Sequence, residues 1–269
     1  MIEKTVSGLK LLLFENLAPY GGLTHAVTTR IGGVSPPPFH SLNLGTGTAD
    51  AAENIEENYR RLAQALGFNL SSVVTSHQVH GDRIASINAI PNRQVQFPRA
   101  HALDGYDAFI TDKKNIILMV RVADCVPIIL YDPTNRVIAL IHAGWRGTVA
   151  SVALKTVEVM IRDYGCSPKT IRAGIGPSIG ACCFSVRPDV AVLFHDRFGH
   201  NCPYIREASG TIYIDLAGLN WMQLQASGIR AEHIELSGIC TACNLHLFFS
   251  HRGEQGKTGR FVLCAGLRV

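Results

Sequence analysis

The stretch Val120–Gly147, VRVADCVPIILYDPTNRVIALIHAGWRG, restricts what this chain can fold into more than any other. Two β-branched apolar runs, Val126–Leu130 and Val137–Ile141, flank Asp132-Pro133-Thr134-Asn135. Asp suits the first position of a turn and Pro pre-sets φ at the second. The pattern therefore predicts a β-hairpin. With Asp132 facing Asn135, Cys125 falls opposite His142, and a bulge would shift that pairing by one. Directly opposed residues have Cβ atoms roughly 4.5–5.5 Å apart, close enough for one metal ion to span them. After His142 the run Ala-Gly-Trp-Arg-Gly enters a helical pattern, where free backbone N–H groups can hold an anion. A thiolate, an imidazole and a glycine-rich helix start meet at one end of this hairpin.

The rest of the chain reads as strands with about four helices among them. Strand-like runs are Lys10–Phe14, Thr24–Thr29, Val73–Gly81, Tyr106–Thr111, Asn115–Arg121, Thr170–Ile175, Ile234–Leu236, Leu245–Phe249 and Arg260–Cys264. A start signal at Asp50 and Glu53 precedes Ile55, Tyr59, Leu62 and Leu66 at helical spacing, with Gly67 as the stop. Gly147–Tyr164 is a second helix by pattern, closed by Gly165. Pro188–Phe198 and Leu216–Ala226 are two more, the latter behind Asp215 as a cap. Ile90–Leu103, with Pro91 and Pro98, reads as an exposed connection. No repeat or linker divides residues 1–269, so the expectation is one α+β domain built on mixed sheets.

Composition narrows the function classes. Apolar residues make up 47% and charged ones 17%, which is globular and ample for a core. The net charge of +4 is spread along the chain, so neither nucleic acid nor an anionic membrane is an expected partner. No apolar run approaches the roughly 20 residues of a spanning helix. Met1–Leu17 lacks the basic start and small-residue cleavage site of a signal peptide. Eight cysteines dispersed over such a length fit reduced thiols, and the expected location is the cytoplasm.

Several residues carry candidate chemistry. His77 and His80 are three apart, but in a strand such residues point to opposite faces, so at most one joins a site. His80 could complete a three-ligand zinc set with Cys125 and His142, leaving the open fourth position of a catalytic centre. The same cysteine and histidine are also a candidate hydrolase dyad, with Asp124 as orienting or acid–base group. Copper is a third option, since blue-copper centres use two His and one Cys. Multicopper oxidases, however, normally carry several His-x-His pairs, and none of the eleven histidines here forms one. Cys240-Thr-Ala-Cys243 is a CxxC without a second CxxC; Cys182-Cys183 could complete a four-thiolate metal site with it, but the preferred reading of these cysteines is small packing residues rather than ligands. The segment TTRIGGVSPPPFHSLNLG is too rich in Gly, Pro and Ser to be regular and carries Arg30 and Asn43.

Taken together, TTRIGGVS, PFHSLNLG, QVHG, DGYDAFIT, VADCVPIIL, HAGWRG, GIGPSIGACCF, CTACN and FFSHRGEQGKTGR resemble the YfiH-type laccase-domain family over nearly the whole chain. Departures are few: Gly253 stands where a second arginine is common, and Leu245-His246 where the pattern has a proline. The resemblance implies an α/β/β/α layered sandwich. It also implies zinc, with copper as an alternative, on His80, Cys125 and His142. The activities implied are phosphorolysis of purine nucleosides, including S-methyl-5'-thioadenosine, and deamination of adenosine. The expected partners are then purine nucleosides and inorganic phosphate. Our own reading adds Arg30, Asn43 and Arg146, with Gly144–Gly147, as the substrate and phosphate cradle, and Asp124 or Asp107 for proton transfer. The rival readings are a Cys-dependent amidase acting on cell-wall precursors, a copper phenol oxidase, and a non-catalytic zinc module with a closed fourth position.

Overall fold

A computed structural model describes residues 1–90 and 102–268. The chain opens with β1 (Ile2–Val6), β2 (Leu9–Leu13) and β3 (Leu23–Thr28). Helix α1 (Ala52–Leu66) follows, then β4 (Val73–His77), β5 (Ile84–Ser86), β6 (Ala102–Asp104), β7 (Ala108–Thr111) and β8 (Ile117–Val122). The hairpin of β9 (Val126–Asp132) and β10 (Val137–Ala143) leads into α2 (Trp145–Val149) and α3 (Val152–Tyr164). Next come β11 (Arg172–Ile175), β12 (Ser185–Val186), α4 (Pro188–Phe198), β13 (Ile205–Ala208) and β14 (Thr211–Ile214). Helix α5 (Leu216–Ala226), β15 (Ile234–Leu236) and β16 (Phe261–Leu267) complete the order. Most of the proposed connection Ile90–Leu103 lies outside the described residues.

Two mixed sheets stack face to face. One runs β1-β2-β3-β16-β8-β4-β6, the other β15-β11-β9-β10-β7-β5, and β12-β14-β13 form a small third sheet. Side-chain alternation sorts each central strand between two cores. On β10, Ile138 and Leu140 face the other sheet, where they meet Val27, Leu118, Val120 and Leu263. Its alternate residues Ala139 and Ile141 face Val152, Val157 and Met160 of α3 and Leu219 of α5. Across the other sheet, Met119 and Val262 pack under Ile55, Tyr59 and Leu62 of α1. The layers are therefore α/β/β/α, the expected architecture. Because β9 and β10 are buried throughout, truncating a side chain such as Leu140 to alanine costs about 2–5 kcal/mol.

The opening hairpin forms with a different register. Asp132 pairs with Val137 rather than Asn135, and His142 pairs with Pro127. The Asp132 carboxylate explains the wider loop. Its oxygens accept from Thr134 N at 2.9 Å, Asn135 N at 3.4 Å and Asn135 Nδ2 at 2.9 Å. The chain then needs Arg136, at φ +54°, to return. The displacement is even, so Cys125 and His142 stay on the face they would otherwise share.

Three further expectations are corrected. The helix drawn over Gly147–Tyr164 is two helices, α2 and α3, broken at Ser151 with φ +64°. Asp50 is not the cap of α1; Ala51 holds that position without a side-chain bond. Leu245–Phe249 is a turn rather than a strand, because Leu247 and Phe248 both donate backbone N–H to Asn244 O, at 2.9 and 3.0 Å. Asp215 caps α5 as expected, accepting from Gly218 N at 2.9 Å. Among the described residues, no helix is long and apolar enough to cross a membrane.

Candidate metal centre

The end of β4 turns sharply through Gln78–Gly81. Gln78 is clamped to β8, donating to Arg121 O and accepting from Arg121 N, both at 2.9 Å. His80 stands in the turn at φ +61°. The fully buried Asp107 holds this backbone: its carboxylate accepts N–H bonds from Val79 at 3.3 Å, His80 at 3.0 Å and Gly81 at 2.7 Å. The same carboxylate lies 2.7 Å from Nδ1 of His142. Burial alone would raise its pKa, but His142 and these N–H groups hold it below the usual range. An ionised Asp107 fixes the proton on Nδ1 of His142 and leaves Nε2 free to bind a ligand.

Cys125 ends the segment before β9, and its sulfur meets the two imidazoles. The ligand atoms of His80, Cys125 and His142 all lie within 4.8 Å of one another. The two histidine rings stand edge to face with centroids 4.8 Å apart. Gly144 makes the approach possible. A Cβ there would sit 2.9 Å from His80 Cδ2 and 3.3 Å from Cys125 Sγ. Gly147 does the same for the turn, since its Cβ would lie 2.7 Å from Gly81 O.

The electrostatics match the geometry. Burial pushes the Cys125 thiol up, but His142 and His80 bring it down to about 6. Burial pushes His142 down, yet Cys125 and Asp107 raise it to about 9. A thiolate beside imidazoles, with Asp107 behind one of them, is the donor set of a soft, tetrahedral ion with one position left open. His77 is exposed at the end of β4 and takes no part.

The other expected site residues fare differently. Asp124 is buried at φ +88° and its carboxylate is fully engaged. It accepts from Thr241 Oγ1 at 2.7 Å, Ser250 Oγ at 2.6 Å and Arg252 N at 2.6 Å. These three bonds fix the backbone next to Cys125. Asn43 is fully buried and its amide is saturated, accepting from Gly45 N and Arg260 N and donating to Thr48 and Asp50, all at 2.9 Å. It positions Arg260 and is not free to contact a substrate. Arg30 pairs with Glu254 at 3.0 Å and donates to His40 O at 2.6 Å and Leu245 O at 2.8 Å, so it braces loops. Arg146 is exposed and stacks on Trp145, 4.3 Å from its ring centroid.

Arg260 was missed by sequence reasoning. Its guanidinium donates to the carbonyls of Thr258 and Gly259, at 3.1 and 2.8 Å, and no ion pair among the described residues includes it. Burial lowers its pKa, while Cys125 and Asp124 raise it through space. Its place at the end of the GKTGR run was the available signal.

A layered α+β protein with a candidate two-histidine, one-cysteine ligand set at the end of a central hairpin is what this geometry defines. The chain belongs to the family described as multi-copper polyphenol oxidoreductase laccase, whose model matches residues 24–268. It is similar to the purine nucleoside phosphorylase YlmD of Geobacillus stearothermophilus, 37% identical over 93% of this chain and 92% of that protein. The crystal structure of YlmD from the same organism superposes with a TM-score of 0.91 at 35% identity, covering 99% of this chain and 98% of the other. The chain is also 36% identical, over 82% of its length and 85% of the relative's, to adenosine deaminase RL5 of an unknown prokaryotic organism.

Proposed function

We propose that this protein is a zinc-dependent purine nucleoside phosphorylase that also deaminates adenosine and cleaves S-methyl-5'-thioadenosine. The observation that carries the reading is the meeting of His80, Cys125 and His142 with Asp107 behind the last. The phosphorylase and deaminase names of its relatives supply the substrate class. The partners are then purine nucleosides and inorganic phosphate, in a reducing, cytoplasmic setting.

When bound there, zinc supplies a Lewis acid that polarises substrate and acidifies water. His80, Cys125 and His142 would hold it, and Asp107 would keep His142 in the ligating tautomer. Asp124 fixes the Cys125 backbone through Thr241, Ser250 and Arg252. Phosphorolysis needs an anion beside the nucleoside, and Arg260, without an acidic partner among the described residues, is the cation placed for it. Arg146 at the start of α2 is a second donor on the solvent side. The test is to incubate protein of known metal content with adenosine, with and without phosphate. Adenine appearing only with phosphate, and inosine in both, supports the reading; neither product would overturn it.

A second reading has one observation in its favour. Cys125, His142 and Asp107 form a nucleophile–base–orienter series, as a cysteine amidase would require. His80 argues against it, because a dyad has no use for a second imidazole within 4.8 Å of the sulfur. Phenol oxidation by several coppers has less support, since the described residues offer no histidine-rich cluster beyond this set.

A further inference from the structure

Behind Asp124 lies a second convergence of ligand atoms. Cys182, Cys183, Cys240 and Cys243 come from two turns distant in sequence, yet their sulfurs lie within 4.8 Å of one another. Cys243 Sγ is 3.6 Å from Cys182 Sγ and 3.4 Å from Cys183 Sγ. Tetrahedral zinc with Zn–S bonds of about 2.3 Å has sulfurs about 3.8 Å apart, so the four are close to ligating positions. The sequence reading as packing residues does not account for their placement. Cys166, Cys202 and Cys264 are buried as core thiols should be, whereas Cys182 and Cys243 are exposed and the other two half-buried.

The surrounding backbone is shaped for this cluster. Gly180 opens the first turn, and a Cβ on it would lie 3.3 Å from Cys182 Sγ and 3.2 Å from Cys240 Cβ. Its N–H donates to Cys240 Sγ at 3.2 Å, a bond that favours a thiolate. The two turns are pinned side by side: Ser178 N donates to Ile239 O at 3.2 Å and Thr241 N to Ser178 O at 3.0 Å.

We propose that Cys182, Cys183, Cys240 and Cys243 hold a structural zinc ion, separate from the ion of the catalytic centre. Four thiolates in a tetrahedron close the coordination shell and leave no position for substrate. On binding, the thiols release their protons to solvent and each sulfur donates a lone pair to the metal, with no change of oxidation state. The ion cross-links two loops that neither sheet stabilises. Those loops adjoin the partners of Asp124: Thr241 lies between two of the ligands, and Arg252 donates to Cys183 O at 3.0 Å. The site thus supports the backbone next to Cys125 without touching the substrate.

Metal analysis of the intact protein, with cobalt substitution as a spectroscopic count of thiolates, tests this independently of any activity. The wild type should hold two equivalents. Cys125→Ser should keep one, whose cobalt form shows the sulfur-to-metal charge-transfer intensity of four thiolates. The Cys240→Ser/Cys243→Ser double variant should lose that signature and keep the weaker one-thiolate spectrum. Should the double variant not fold, the wild-type spectrum alone decides: five thiolates in total supports the site, one overturns it. A metal-free Cys125→Ser protein, or a disulfide among the four cysteines in the purified chain, also overturns it.

Discussion

Nδ1 of His142 lies 2.7 Å from Oδ1 of Asp107, and that one carboxylate also anchors the turn bearing His80. Two of the three candidate ligands are therefore oriented by a single buried acid. Asp107→Asn removes the charge and turns an N–H₂ group toward one set of donors. Zinc affinity should fall about 10- to 100-fold, as is typical when such an outer partner is lost. Competition with a chromogenic chelator measures it; unchanged affinity would show that Asp107 serves only the fold.

Gly144 separates sterics from ligand chemistry. At φ −71° alanine is tolerated by the backbone, yet its methyl group would press on His80 Cδ2 and Cys125 Sγ. Gly144→Ala should melt close to the wild type while binding the proposed zinc on the order of 10-fold more weakly or worse. Full occupancy in elemental analysis would refute the claim that the glycine makes room for the ligands.

Arg260→Ala should separate the two proposed activities. Phosphorolysis needs the anion in its transition state, and losing a charge-assisted bond costs roughly 1.5–3 kcal/mol, or about 10- to 150-fold in rate. Deamination needs no phosphate and should hold. Chromatography of one reaction at fixed phosphate gives the adenine-to-inosine ratio. If both products fall together, Arg260 serves the nucleoside or the fold. The same assay on Arg146→Ala should show the smaller change, given its exposure and its stacking on Trp145.

A pH effect on stability should come from His25, which is not one of the candidate ligands. It is buried on β3, and its Nε2 accepts the Phe14 N–H at 3.0 Å, so the neutral ring is the folded form. Burial lowers its pKa from 6.5 to about 4. The unfolded chain then binds the proton first, so this stabilisation is complete above pH about 6.5 and is lost as pH falls toward about 4. At 1.36 kcal/mol per pKa unit the loss is about 3 kcal/mol. Denaturant titrations across this range should show the wild type losing that much more than His25→Gln. Parallel curves for the two proteins would sink the assignment.

Local order was legible in the sequence because it follows from periodicity and turn chemistry. The apolar β-branched runs Val126–Leu130 and Val137–Ile141 around a turn signal predicted a hairpin, and Gly67 and Gly165 marked two helix ends. Even there, the register depended on the Asp132 side chain capturing backbone N–H groups, which turn propensity does not specify. What individual polar side chains do was decided by tertiary structure. Arg30 was taken up by Glu254, Asn43 by Arg260 and Asp50, and Asp124 by Thr241, Ser250 and Arg252. Apart from Asp50, each partner lies far along the chain, and a buried polar group must take whatever donor or acceptor the packing brings. The four cysteines show the same limit. The spacing of Cys182-Cys183 and Cys240–Cys243 allowed a four-thiolate site but favoured packing residues, and the juxtaposition of two loops, through Ser178, Ile239 and Thr241, is what makes them one cluster.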